Sequence, residues 1–141
     1  MVTAQTEEYL EAIRRLEERG EPATTSALAR DLGVSAPSVT EMVGRLAELG
    51  YVTRRQRGEI HLTDSGRALG TTVVRRHRLW ERFLTDVLGL PWERVHAEAC
   101  RLEHATSPDT EARLEQAIGA TMTCPHGNTI PGRAGALSRD A

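Results

Sequence analysis

The chain has no lysine at all: every one of its 18 basic residues is arginine. It has only two cysteines and five aromatic side chains in 141 residues. No apolar run approaches the roughly 20 residues that a membrane span requires, so no membrane partner is expected. The opening stretch "MVTAQTEEYLEAI" is polar and acidic and lacks an apolar signal core. Two cysteines without such a signal read as reduced thiols in a cytoplasmic protein, not as a disulfide framework. A net charge of −2 argues against indiscriminate binding to nucleic acid. What remains is an ordinary globular composition, 39% hydrophobic and 27% charged, at a length that suits one domain or two small ones.

The charge is unevenly spread. Residues 1–22 hold three Arg against six acids, residues 23–78 nine against five, and residues 79–141 six against nine. Arginine suits bidentate phosphate contacts, so the middle third is the part expected to touch DNA.

Hydrophobic periodicity organises that region. "QTEEYLEAIRRLEER" places Tyr9, Ile13 and Leu16 at helical spacing, and Gly20 ends the helix. "TTSALARDLGVSAPSVTEMVGRLAELGYV" predicts a short helix capped by Thr25 or Ser26, with Leu28, Ala29 and Leu32 inward, then a turn at Gly33. A second helix follows, capped by Ser35 with Pro37 in its first turn, and its buried stripe is Val39, Met42, Val43 and Leu46. "YVTRRQRGEIHLTDSG" predicts two short strands around a basic turn at Gly58. Helix, turn, helix and hairpin together predict a winged helix-turn-helix domain over residues 1–72. Its exposed face offers Ser35, Pro37, Ser38, Thr40 and Glu41 to a major groove. Thr25 and Ser26 are placed to reach the backbone, and Arg54, Arg55 and Arg57 of the wing suit phosphates.

A long helix is predicted from Asp64 or Ser65 to about Leu88, broken by "GLPW". Pro91 opens the next helix, and Ser107-Pro108 caps a last one reaching about Ile118. These make a helical domain over 73–122, followed by a Gly/Pro-rich arm over 123–141. Trp80, Phe83, Leu84, Leu88 and Trp92 are its candidates for core and for a dimer interface. The fold class is thus mainly α.

The stretch "WERVHAEACRLEHA" asks why one of two cysteines sits there. His96, Cys100, Glu103 and His104 fall at i, i+4, i+7 and i+8, within an arc of about 100° on one helical face. Imidazole, thiolate and carboxylate are the usual protein ligands of divalent transition metals. One helix cannot surround an ion. His77 and Glu81, at i and i+4, and Glu8 and Glu11, at i and i+3, are the available partners. Each pair taken alone reads better as a solvated face; three sets in one small chain point to metal.

These segments resemble the diphtheria toxin repressor family of iron- and manganese-dependent regulators. The resemblance lies in "TEEYLEAI", "LGVSAPSVTEMVGRL", "LTDSGRALG", "VVRRHRLWERFLTDVLGL", "VHAEACRLEHATS" and "CPHGNTIPG", spanning about residues 5–132. It implies an N-terminal winged helix, a helical dimerisation domain and two metal positions. By motif, Glu8, Cys100, Glu103 and His104 match a primary site, while His77, Glu81 and His96 match an ancillary one. Glu11 matches a carboxylate of the manganese regulators. Glu8 stands where iron sensors carry methionine, and Cys100 where manganese sensors usually carry glutamate, so the ligand set is a hybrid. The resemblance further implies Mn(II) or Fe(II) as corepressor, with Co(II), Ni(II) or Zn(II) able to substitute in vitro. It implies a homodimer bound to a palindromic operator in double-stranded DNA of metal-homeostasis genes. On this reading the ion, held by acids of the DNA-binding half and by ligands of the dimerisation half, fixes one relative to the other. Longer members continue into a small β-barrel, so the chain reads as a two-domain or a truncated form.

Three rival readings are weaker. "HAE" at His96–Glu98 is half of a zinc deaminase signature, but the Pro-Cys-x-x-Cys half is absent, as are His-Glu-x-x-His and a phosphate loop, so no enzyme is expected. A winged-helix regulator sensing an organic ligand or redox state would use Cys100, with Cys124, as a thiol switch. Cys124 and His126 of "CPHG" are too few to close a zinc site and read as a turn.

Overall fold

In the computed structural model of the chain, residues 2–119, 124–125 and 129–132 are described. His126 and most of the 123–141 arm lie outside them. The described elements run α1 (Ala4–Glu18), α2 (Thr25–Leu32), α3 (Ala36–Glu48), β1 (Val52–Arg54), β2 (Ile60–Leu62), α4 (Asp64–Asp86), α5 (Trp92–Glu103) and α6 (Pro108–Ile118). The chain divides into two compact units, Met1–Thr71 and Thr72–Ala141, with α4 running through the division. None of its described helices is long and apolar enough to cross a membrane.

The first unit is a winged helix built on one apolar core. Leu10, Ile13 and Leu16 of α1, Leu28 of α2, and Val39 and Leu46 of α3 are fully buried, joined by Val52 and Ile60 of the hairpin. The cap of α2 is Thr24, whose hydroxyl accepts from Ala27 N, and not the expected Thr25 or Ser26. Three successive hydroxyl residues offer equivalent caps, and the buried Ala27 and Leu28 set the frame in which Thr24 precedes the helix. The inward alanine is chiefly Ala27; Ala29 is only partly buried. Gly33 adopts a left-handed conformation (φ 67°) and ends α2, with its N–H donating to Ala29 O. Ser35 then caps α3 by accepting from Ser38 N, with Pro37 in the first turn, as the sequence predicts.

β1 and β2 pair antiparallel with Val52 opposite Leu62, Thr53 opposite His61 and Arg54 opposite Ile60. Between them a single 3-10 turn, Gln56–Gly58, is closed by left-handed Arg57 and Gly58. Ile60 N also donates to Ala23 O, tying the wing to the start of α2. The first turns of α4 lie against the unit at two glycines. A Cβ on Gly66 would stand 2.0 Å from Tyr51 O, and one on Gly70 would stand 3.0 Å from Leu10 O. Arg67 fixes the same contact with a two-pronged bond to Glu17, at 2.7 and 3.2 Å.

In the second unit α4 ends at Asp86, two residues before the expected Leu88. Gly89 (φ 64°) winds left-handed there, and Leu90 N donates back to Leu84 O. One apolar cluster is Leu79, Leu114, Ile118 and Ile130, with Trp80 and Phe83 partly buried against it, and Val73, Val74, Leu84, Val95, Ala99 and Cys124 are buried as well. Trp80 Nε1 donates to Thr106 Oγ1, which donates to Leu102 O, joining α4 to the end of α5.

Much of the remaining interior is charged. Arg75, with only 4% of its side chain exposed, donates from Nε to Glu111 (2.6 Å), from Nη2 to Glu115 (2.5 Å) and from Nη1 to Pro131 O (2.9 Å). Arg76 Nε donates to the other oxygen of Glu111, and Arg78 to Thr129 O. Residues 129–132 are therefore held into this unit by two arginines and the buried Ile130.

Candidate metal centre and nucleic-acid interface

His77 is the hub of the second unit's polar interior. It lies mid-helix on α4, which buries one long face, and its side chain is 2% exposed. Its Nε2 is 3.2 Å from Glu81 Oε2, one turn further along α4, and its Nδ1 is 2.5 Å from Glu103 Oε1 on α5. Both carboxylates are buried, Glu103 completely. His96 and Cys100, one turn apart on α5, complete the group. Cys100 Sγ is 3.5 Å from His96 Nε2 and 3.9 Å from His77 Nδ1. The His77 and His96 rings meet edge-on, with centroids 4.7 Å apart. One ligand atom from each of His77, His96 and Cys100 lies within 4.8 Å of the others.

The helical arc anticipated for α5 accounts for half of this. Val95 and Ala99 are buried on the neighbouring arc and seat the helix, which turns Cys100 and Glu103 toward α4. His104 is not within the helix but at its C-cap, still in a right-handed conformation, with Nε2 3.5 Å from Glu103 Oε2. Five predicted ligands, His77, Glu81, His96, Cys100 and Glu103, thus form one cluster, with His104 at its edge. Two imidazoles, a thiol and two buried carboxylates are a donor set suited to divalent first-row metals; hard cations such as Mg(II) and Ca(II) prefer all-oxygen cages. Glu8 and Glu11 belong to α1 of the first unit. Glu8 is exposed, while Glu11 is buried and accepts from Arg15 at 2.7 Å. The Tyr9 phenol between them is pushed up by burial and then by the Glu8 charge.

The predicted DNA-facing residues lie on the surface of the first unit. Ser26, Ser35, Pro37, Ser38, Thr40 and Glu41 are exposed, as are Arg54, Arg55 and Arg57; Thr25 is half-buried. Ser35 spends its hydroxyl on its own helix, accepting from Ser38 N and donating to Ser38 Oγ. Glu41 accepts from Arg45 at 2.6 Å. Arg54 donates to Thr40 O, which ties the wing to α3.

Counting arginines over 23–78 overstates the DNA-facing charge. Arg75, Arg76 and Arg78 serve the second unit's interior, Arg67 pairs with Glu17, and Arg30 pairs with Glu21 and Asp31. Sequence reasoning also missed Arg75, Glu111 and Ile130. The available signal was Glu111 and Glu115, at i and i+4 on one helical face, opposite an arginine-rich helix.

Known proteins resemble the chain along nearly its whole length. Residues 1–59 match a family model described as the iron-dependent repressor N-terminal DNA-binding domain. Residues 63–132 match the iron-dependent repressor metal-binding and dimerisation domain. The iron-dependent repressor IdeR of Mycobacterium tuberculosis is 46% identical over 127 residues, covering 90% of this chain and 55% of that protein. The diphtheria toxin repressor of Corynebacterium diphtheriae is 42% identical over 127 residues, covering 90% of this chain and 56% of that one. A manganese-dependent transcriptional repressor solved in complex with manganese superposes with a TM-score of 0.84 at 42% identity, covering 90% and 58% of the two chains. The chain therefore spans just over half the length of the curated relatives it matches. With matches to both of the family's domains, the chain belongs to the iron-dependent repressor family.

Proposed function

We propose that the chain is a metal-dependent transcriptional repressor of the cytoplasm. Mn(II) or Fe(II) is its corepressor, and its target is a palindromic operator of metal-homeostasis genes. The observation that carries this is the convergence of His77, His96 and Cys100 donor atoms within 4.8 Å, in a chain whose other unit is a winged helix. Co(II), Ni(II) and Zn(II) fit the same nitrogen and sulfur donors in vitro.

The residues that would hold metal are His77, Glu81, His96, Cys100, Glu103 and His104 of the second unit. The assignment of Glu8 and Glu11 rests on the family resemblance. When bound, the ion supplies concentrated positive charge among buried carboxylates and fixes the directions of their side chains. The chain's own residues do the rest. Glu103 lies 2.5 Å from His77 Nδ1 and orients that ring, leaving Nε2, on the Glu81 side, to face an ion, and Trp80 and Thr106 hold α4 to α5. In the first unit, Ser38, Thr40 and Glu41 face the groove, and Pro37 offers apolar contact to a thymine methyl. Arg54 holds the wing to α3 while Arg55 and Arg57 address phosphates.

Pairing two recognition helices on a palindrome requires a dimer. Val87, Leu88 and Trp92, each more than half exposed at the end of α4 and the start of α5, supply an apolar surface for a second copy. The family is named for repression and not for a reaction, and no catalytic role is assigned to any residue.

The test is operator binding by fluorescence anisotropy, first in chelator and then with Mn(II), Fe(II), Co(II) or Zn(II) added singly without oxygen. Tight binding only with metal, lost in Glu8→Ala and His104→Ala, is expected. Binding that survives chelation and fails with oxidant would instead support a thiol-switched regulator using Cys100.

A further inference from the structure

The recognition helix, α3, carries a carboxylate on the face that would meet a polyanion. Val39, Met42, Val43 and Leu46 bury one side of the helix. At about 100° per residue, Pro37, Glu41, Gly44 and Glu48 form the ridge on the opposite side. The N-terminal residues of such a helix are the ones that meet base edges. Glu41 is therefore the charged group of this ridge within reach of a base, and its side chain is 68% exposed.

Three features set Glu41 apart from a merely solvated acid. Arg45, one turn further on, donates from Nη2 to Glu41 Oε1 at 2.6 Å, which offsets the negative charge where phosphates flank a groove. Oε2 takes no hydrogen bond among the described residues and stays open to a donor. The same turn is braced from the wing, because Arg54 Nη2 donates to Thr40 O, the carbonyl immediately before Glu41. Beside it stands Gly44, where a Cβ would meet no neighbouring atom within 4 Å. Glycine weakens a helix interior, and no packing among the described residues asks for one here. What it supplies is a flat patch next to Glu41 over which a base edge can come close.

We propose that Glu41 is a specificity-determining residue of α3 and selects cytosine, accepting from its N4 amino group, with Arg45 as the positioning residue. The inference rests on the repressor reading of the chain. Only two base groups donate in a major groove, N4 of cytosine and N6 of adenine. Guanine N7 and O6 and thymine O4 are acceptors and repel a carboxylate. Adenine N6 has the acceptor N7 beside it, a pattern that suits a side-chain amide, which both donates and accepts. Cytosine presents its donor with no acceptor next to it on the same base. A carboxylate therefore ranks cytosine first. The Arg45 guanidinium, 2.6 Å from that carboxylate, suits N7 and O6 of the guanine paired with it.

The full-length chain, with saturating Mn(II), is offered a pool of randomised DNA duplexes, and the bound duplexes are sequenced, alongside Glu41→Gln and Arg45→Met. The proposal expects the unaltered chain to enrich a palindrome with one cytosine fixed in each half-site by Glu41. In Glu41→Gln that position alone changes. Anisotropy on single-base variants of the enriched duplex should show the cytosine preference falling by roughly tenfold or more, with adenine taking its place. Arg45→Met should lower the same preference without moving it to another base, and an unchanged preference there removes the positioning role of Arg45. Both side chains are exposed, so melting temperatures should match that of the unaltered chain. An unchanged cytosine preference in Glu41→Gln, or an enriched site with no cytosine that responds to this variant, overturns the assignment and leaves the repressor reading standing. Failure of the unaltered chain to enrich any sequence with metal removes both.

Discussion

The two units are stabilised by different physics. In the first, α1, α2, α3 and the hairpin close over one continuous apolar cluster, from Tyr9 and Leu10 to Val52 and Ile60. In the second, Leu79, Leu114, Ile118 and Ile130 cluster and Val73, Val74, Leu84, Val95 and Ala99 are buried too, but Arg75, His77, Arg78, Glu81, Glu103 and Glu111 share that interior. A hydrophobic core tolerates changes that keep volume, and it has no use for a ligand. A buried ionic interior is sensitive to the loss of any single member, and its stability follows what binds to it. The contrast falls between the unit that matches the DNA-binding domain model and the unit that matches the metal-binding and dimerisation model.

The sharpest way to break that contrast is to remove one partner from the second unit's ion network. Glu111→Ala leaves Arg75, with 4% of its side chain exposed, without a principal partner, and Arg76 loses the same carboxylate. Breaking a buried pair costs up to about 3–5 kcal/mol, and the Glu115 and Pro131 O contacts that Arg75 keeps place this variant toward the lower end. A urea melt should show it as an early transition, and an unchanged midpoint would mean the network is not what holds α6.

Metal supplies the next effect. Saturating Co(II) or Mn(II) at about 100 times its dissociation constant should stabilise the folded chain by about 2.7 kcal/mol, and His77→Ala should abolish the gain. A thermal melt with and without metal reads it directly. A comparable change comes from the first unit's packing. Gly66→Ala puts a methyl group 2.0 Å from Tyr51 O, a backbone atom that cannot swing aside. It should cost roughly 1–3 kcal/mol and lower the melting temperature whether or not metal is present.

The smallest effect concerns the exposed ion pairs between the end of α1 and α2. Burial raises the Asp31 carboxyl, but hydrogen bonds from Arg19 and Arg30 outweigh it and hold the group below its ordinary value. Arg30, chiefly, lowers Glu21 in the same way. Carboxylates depressed in the folded state stabilise it above their unfolded values, and that contribution is lost as pH falls through the lowered ones. A slight loss of stability below the ordinary carboxylate range, reduced by added salt, is expected in melts of Asp31→Asn against the unaltered chain.

How much of this was legible in sequence follows the same division. The first unit was legible because its signals are local. Ser35 with Pro37 marks a helix start, Gly33 marks the left-handed stop, and Val39, Met42, Val43 and Leu46 share one helical face. Its slips were local too: the cap at Thr24 came from three equivalent hydroxyls in a row, and the same shift of frame put Ala27 inward in place of Ala29. In the second unit only the ligands on each single helix could be read. That His77 stands between Glu81 and Glu103, beside Cys100 and His96, depends on how α4 meets α5, which no spacing encodes. Arg75, in "VVRRHR", resembled a solvated basic run; its burial is set by Glu111 and by Pro131 O, 36 and 56 residues away.

The central claim is that metal in the second unit and DNA at the first are coupled, and coupling is reciprocal. The most direct measurement is the affinity for Mn(II), by calorimetry under anaerobic conditions, with and without saturating operator DNA. The account predicts that operator tightens metal binding by the same factor by which metal tightens operator binding. Equal metal affinities in the two conditions would contradict it.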